Sequence, residues 1–230
     1  CFVDHFGPTE QTDGMVVAAH PHTGLQTVTW LIEGRIEHRD SIGSVQLIEP
    51  GQLNLMTAGH GIAHSELSLA GPEHLHAVQL WVALPKESIS VAPEFEHQAN
   101  LPKFNIGNTQ VTVLAGELQG VSAPTKTFSP MMGAELRIKA GESVTVQINQ
   151  EFEHGFMPAQ GSITIGDETA ASSCVIYCEP GATSVTINAH SDSGEEVILL
   201  MLGGKPFGEK ILMWWNFIGR TNDDIVQARN

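Results

Sequence analysis

The sequence predicts an all-β protein built as two jelly-roll β-barrels in tandem, with a short helix at the C-terminus. Three observations lead there. Twenty-three glycines and twelve prolines in 230 residues punctuate short runs rich in Val, Ile, Leu and Thr, and turn residues at that density cut a chain into strands rather than long helices. The runs recur roughly every 8 to 12 residues, the spacing of a sandwich or barrel. The turns also repeat: Ile32-Glu33-Gly34 is echoed by Ala159-Gln160-Gly161, and Glu49-Pro50-Gly51 by Glu179-Pro180-Gly181, at offsets of 127 and 130 residues. A length of 230 residues suits two domains of about 100 residues or one large all-β domain, and the repeat favours an internal duplication of one barrel.

Taken in order, strands are expected at 16–19, 25–33, 44–48, 52–57, 63–69 and 74–83. Polar, loop-like text follows through Pro93, Asn100, Pro102 and Asn108, before a second series at 111–114, 131–138, 143–148, 162–165, 174–177, 184–189 and 197–202. The domain boundary is placed near residue 115, dividing the chain into 1–115 and 116–230. Inward side chains alternate along jelly-roll strands and enclose a small cavity. Cys174 and Cys178 lie in the apolar run Cys174-Val175-Ile176-Tyr177-Cys178 and read as small buried hydrophobes. Thr221-Asn222-Asp223-Asp224 reads as a capping box opening a short packing helix through Ile225 and Ala228.

Composition excludes several functions. With 26 acidic and 11 basic residues the formal net charge is -15, which repels phosphate backbones and anionic lipid. Direct nucleic-acid binding and membrane association are therefore not expected. No run approaches the roughly 18 apolar residues that a spanning helix needs. Three cysteines are too few for a disulfide scaffold and favour a reducing, cytoplasmic setting. The chain opens Cys1-Phe2-Val3-Asp4 with neither a basic region nor an apolar signal core, so no targeting address is legible.

The chemistry concentrates in the first half. Seven of the eleven histidines fall between residues 20 and 76. In His20-Pro21-His22 the imidazoles stand at i and i+2, so an extended strand projects both from one face, about 7 Å apart at Cα. His64-Ser65-Glu66 repeats that geometry. Three imidazoles and one carboxylate suit Fe, Mn, Ni, Co or Zn better than Ca or Mg, and leave coordination positions open. His74-Leu75-His76 is a competing pair, with His76 a pocket or core residue. His60, between Gly59 and Gly61, is either a substrate contact or a loop residue, and His38 reads as a hydrogen-bonded structural residue. At the repeat offset, His20 and His22 fall near Gln147 and Asn149, His64 near Gly194 and Glu66 near Glu196; His154 stands alone, so the second barrel is expected to lack metal.

Several long motifs resemble the pirins, two-barrel members of the cupin superfamily. They are His20-Pro21-His22-Thr23-Gly24-Leu25-Gln26-Thr27-Val28-Thr29-Trp30-Leu31-Ile32-Glu33-Gly34, Met56-Thr57-Ala58-Gly59-His60-Gly61-Ile62-Ala63-His64-Ser65-Glu66, and Gly203-Gly204-Lys205-Pro206-Phe207-Gly208-Glu209, together with Asp4-His5-Phe6-Gly7-Pro8 and Gln79-Leu80-Trp81-Val82. The resemblance implies a bicupin fold, with His20, His22, His64 and Glu66 matching ligands of one divalent metal, iron above all, in the first barrel. It also implies residues before Cys1. Gln26 stands where many cupins and pirins carry Glu, so Glu66 has to supply the carboxylate.

Two activities follow from the resemblance. The first is a quercetin 2,3-dioxygenase type of reaction, in which an Fe(II) centre, or one of Mn, Ni, Co or Zn, activates the hydroxyl of a small flavonol-like aromatic. Glu66 takes the proton, and O2 opens the ring. Trp30, Met56, His60, His76, Gln79 and Trp81 are the expected pocket residues. The second is a metal-binding or redox-sensing regulatory module acting through a protein partner. Oligomeric state is not legible.

Overall fold

In the computed structural model, which describes residues 2–10, 14–69 and 74–229, contacts divide the chain into two units. The first holds 1–100 together with 208–230, and the second holds 101–207. The described residues of 1–100 form nine strands: β1 (Phe2–Glu10), β2 (Val16–His22), β3 (Leu25–Glu33), β4 (Ile36–Asp40), β5 (Val45–Ile48), β6 (Leu53–Thr57), β7 (Ile62–Ser68), β8 (His74–Ala83) and β9 (Glu94–Gln98). They form a five-stranded sheet in the order β1-β8-β3-β6-β9 and a four-stranded sheet in the order β2-β7-β4-β5. Leu31, Ile36, Ile48, Leu75 and Ala77 make one fully buried cluster in this unit.

The second unit repeats that order. One sheet contains Met131–Ile138, Val197–Gly204, Glu153–Gln160 and Ile176–Cys178 as successive neighbours, and the other contains Ser143–Gln147, Ser184–His190, Ser162–Ile165 and Glu168–Ala171. These correspond one for one to β1-β8-β3-β6 and β2-β7-β4-β5. The duplication seen in the turns is thus a duplication of topology. Its core is built on Phe156, Ile187, Leu199 and Met201, all fully buried; truncating such a Phe to Ala costs about 3–5 kcal/mol.

Most expected strands are present, and the differences are informative. The boundary falls earlier than residue 115, because Lys103–Ile106 and Thr109–Ala115 pair antiparallel onto the second unit's sheet through Met131–Ile138. Residues 208–230 return to the first unit instead of ending the second. The counterpart of β7 is Ser184–His190, so Gly194 and Glu196, in and beside the following turn, do not correspond to His64 and Glu66. Cys174 is exposed outside the strand and Cys178, on the strand, is half-buried, so neither is the buried residue expected. Strands β1, β4, β9 and Glu153–Gln160 were not among those expected.

The C-terminal return is held by specific contacts. Leu212–Trp214 and Phe217–Gly219 form a hairpin, and Phe217 bridges Thr23 in parallel. Ile218 donates its N–H to the Thr23 carbonyl at 3.0 Å. Gly24 makes this approach feasible: a Cβ there would lie 2.2 Å from the Ile218 carbonyl oxygen, and its φ of +72° is a conformation open to glycine. Arg220 pairs with Glu209 at 2.6 Å and donates to the Leu84 carbonyl at 2.7 Å. Helix α1 (Asn222–Ala228) follows, opened by the expected capping box: Thr221 Oγ1 accepts from the Asp224 N–H, and the Asp224 carboxylate accepts from Thr221 N–H.

Candidate metal centre

The site is assembled by strand register. β7 lies between β2 and β4, and its residues His64 and Glu66 share one face because they are two apart. On one side His20 stands directly opposite His64, with a register shift between Val17 and His20. On the other, His38 stands opposite Glu66. From the facing sheet, Thr29 on β3 and Gln79 on β8 are register partners and reach the carboxylate. Thr29 Oγ1 donates to Glu66 Oε1 at 3.2 Å, and Gln79 Nε2 donates to Oε2 at 2.8 Å.

The histidine nitrogens converge. His22 Nε2 and His64 Nε2 are 3.1 Å apart, close to the roughly 3 Å that separates two nitrogens bound at right angles to an ion about 2.1 Å from each. Ligating atoms of His20, His22 and His64 all lie within 4.8 Å of one another, and so do those of His38, His64 and Glu66. The expected set of four therefore appears as two overlapping triads that share His64, with Glu66 grouped with His38 rather than with His20 and His22.

Protonation favours lone pairs over charge. Burial, followed by neighbouring His20, lowers the His22 pKa to about 4, against a small opposing effect of the Asn216 backbone. Burial, followed by His22, His20 and His38, lowers that of His64 to about 2. Both imidazoles are therefore neutral near pH 7. His20 Nδ1 donates to the Ala18 carbonyl at 2.8 Å, which leaves Nε2 as the acceptor. His64 Nδ1 faces His38 Nδ1 at 3.4 Å, so a proton on His64 Nδ1 frees its Nε2. An ordering contact on one ring nitrogen and a lone pair on the other is how metal-binding histidines are held. This donor set fits a divalent transition ion.

Other expected residues divide by face. Met56 is the register partner of Thr27, and Trp81 also partners Thr27, so Met56, Trp81 and Gln79 share the site face with Thr29. The Trp81 ring meets His22 edge-on at 5.1 Å, and its buried Nε1 has no hydrogen-bond partner. Trp30 follows Thr29 directly and so points to the opposite face of β3, where it is buried. His76, an odd number of residues from Gln79, also faces away and meets His5 at 2.9 Å between Nε2 atoms. His60 is exposed on the turn at 58–61, whose backbone is tied to Val91 by a 3.0 Å hydrogen bond. Trp30, His76 and His60 thus leave the expected pocket. Gln26 gives its amide to Thr57 Oγ1 at 2.9 Å on that same opposite face.

His38, read from sequence as structural, is placed in the cluster. It is buried, stacks on Phe95 at 4.5 Å and approaches Asp40 Oδ2 at 3.3 Å. The signal for it was the alternation Ile36-Glu37-His38, whose first and third residues are buried.

Two cupin barrels in one chain, with a buried histidine and carboxylate cluster in the first, define a bicupin with a candidate metal centre. The model of the pirin family matches residues 1–82 and that of the pirin C-terminal cupin domain matches 133–230. The chain belongs to the pirin family. Among its relatives, a protein of Pseudomonas aeruginosa named "Putative quercetin 2,3-dioxygenase" is 45% identical over 231 residues, covering 100% of this chain and 72% of its own. A crystal structure of quercetin 2,3-dioxygenase from Acinetobacter baumannii superposes with a TM-score of 0.94 at 39% identity, over 100% of this chain and 76% of that one. The bacterial pirin YhhW of Escherichia coli, solved in complex with nickel(II), gives 0.66 at 25% identity, over 89% and 80%.

Proposed function

We propose that the protein is a metal-dependent dioxygenase of the quercetin 2,3-dioxygenase type, acting on a small flavonol-like aromatic with O2. The observation that carries it is the meeting of two neutral imidazoles, His22 and His64, at 3.1 Å beside a carboxylate that has two donors of its own. His20, His22, His64 and Glu66 are the proposed ligands, with Fe(II) the preferred ion and Mn, Ni, Co or Zn as substitutes. When bound, such an ion supplies Lewis acidity that makes a substrate hydroxyl easier to ionise.

The chain's own groups do the rest. Glu66, held loosely enough by the ion to keep one oxygen basic, receives the hydroxyl proton at the oxygen whose donor it gives up, either Oε1 from Thr29 or Oε2 from Gln79. The remaining donor keeps the carboxyl group in place during the transfer. Trp81 and Met56 form apolar walls on the site face, and the unpartnered Trp81 Nε1–H is a ready donor to an oxygen of the substrate. The free thiols of Cys174 and Cys178 suit the cytoplasmic setting we propose.

The test is anaerobic purification with Fe(II), then addition of quercetin and O2, following oxygen uptake and carbon monoxide release in equal amounts. Absence of both with Fe, Mn, Ni and Co removes the dioxygenase reading. Turnover that survives in His64→Ala or Glu66→Ala removes the assigned roles.

A further inference from the structure

The second unit holds a cavity that the metal chemistry does not use. His154, on Glu153–Gln160, is 2% exposed, and the one polar group its ring nitrogens approach among the described residues is the Phe152 backbone, at a geometry short of a good hydrogen bond. A buried polar group left short of partners is costly. The ring sits between Phe152 and Phe156, with centroids 6.2 and 6.3 Å away. Gly203 is its register partner, and a Cβ at 203 would fall 2.6 Å from His154 Cδ2. The neighbouring strand thus lacks a side chain where the imidazole needs room.

His154 lines a cavity of about 540 Å³, within the range of about 300–1,000 Å³ usual for small-molecule sites. Its apolar walls come from Leu118, Met131, Met132 and Met201, and its exposed rim carries the amides of Gln147 and Asn149. Thioether sulfur packs well against aromatic rings. No Lys or Arg lines the cavity and Glu117 does, which disfavours an anion. Burial, against the opposing effect of the Phe152 backbone, lowers the pKa of His154, so its imidazole is neutral at pH 7 and offers one acceptor and one donor.

We propose that this cavity is a second binding site, for an uncharged one- or two-ring aromatic carrying a hydroxyl group, which hydrogen-bonds to the His154 imidazole. It is independent of the metal centre.

The experiment titrates metal-free, full-length protein with 2-naphthol by calorimetry, and follows the imidazole signals of histidine-labelled protein by NMR, with His154 assigned from its loss in His154→Leu. Expected are one 2-naphthol per chain at this cavity, a shift of the His154 signals, and affinity unchanged in His64→Leu. Affinity should fall about tenfold or more in His154→Leu. Gln147→Trp, an exposed rim change that plugs the mouth, should weaken binding similarly and keeps the test readable if His154→Leu does not fold. Naphthalene and 2-naphthoate should each bind at least tenfold more weakly. The proposal is overturned by no saturable binding up to millimolar 2-naphthol, by binding that His64→Leu abolishes, by equal binding of naphthalene or naphthoate, or by indifference to both second-barrel variants.

Discussion

Glu66 is held by two neutral donors from the opposite sheet, Thr29 and Gln79, and hydrogen bonds to an ionised group are worth about 1.5–3 kcal/mol. Gln79→Leu should therefore lower turnover with quercetin by about tenfold to a hundredfold while leaving metal content near that of the parent, read by elemental analysis beside oxygen uptake. The histidines make a second prediction. His22 and His64 stay neutral in the folded chain down to about pH 4 and about pH 2, whereas in the unfolded chain they protonate near 6.5. Below pH 6.5 the unfolded state binds more protons, so stability falls with falling pH, by about 1.4 kcal/mol per unit for each. Urea midpoints of metal-free protein between pH 7.5 and 5 should fall, and His64→Leu should flatten the slope. At this scale the two i, i+2 pairs were legible because a period of two is a property of sequence. Trp30 and His76 were misplaced although the same parity, counted from Thr29 and Gln79, sets them on the far face. Glu66's donors were not legible, since they come from another sheet.

Strands reveal where composition helps and where it conceals. β3, β6 and β8 are rich in apolar or β-branched residues and were readable, whereas β4, Ile36-Glu37-His38-Arg39-Asp40, is polar enough to pass for a loop. It is a strand because Asp40 turns the chain, accepting from the N–H groups of Ile42 and Ser44 at 3.1 and 2.9 Å, and because β5 and β7 flank it. The capping box of α1 was readable from four residues. Thr221→Ala should cost about 1 kcal/mol, measured by denaturant unfolding. Gly24→Ala should cost more than about 1 kcal/mol, since its Cβ would meet the Ile218 carbonyl; limited proteolysis of the variant should cut near residue 214 faster than in the parent.

The whole molecule consists of two topologically equal barrels, only one of which gathers a histidine cluster that could hold a metal among the described residues. Duplicated turns announced this plan, but the strand counterpart of His64 was misjudged because the offset is not uniform along the chain. Nor could a linear reading show that 208–230 belongs with the first barrel, since that depends on pairing with Thr23 nearly two hundred residues away. Residues 101–207 expressed alone should therefore fold cooperatively, whereas 1–115 should not; circular dichroism melts of the two fragments check this.

Because Thr23 pairs with Phe217 and Ile218, the edge of the histidine-bearing barrel next to His22 is completed only after the second barrel has been synthesised. At about 5–20 residues per second, Thr23 goes without these partners for on the order of ten to forty seconds, although the strand before it already has β7 beside it. An ion able to bind the histidine cluster would find that edge of the barrel open until the Phe217 segment arrives.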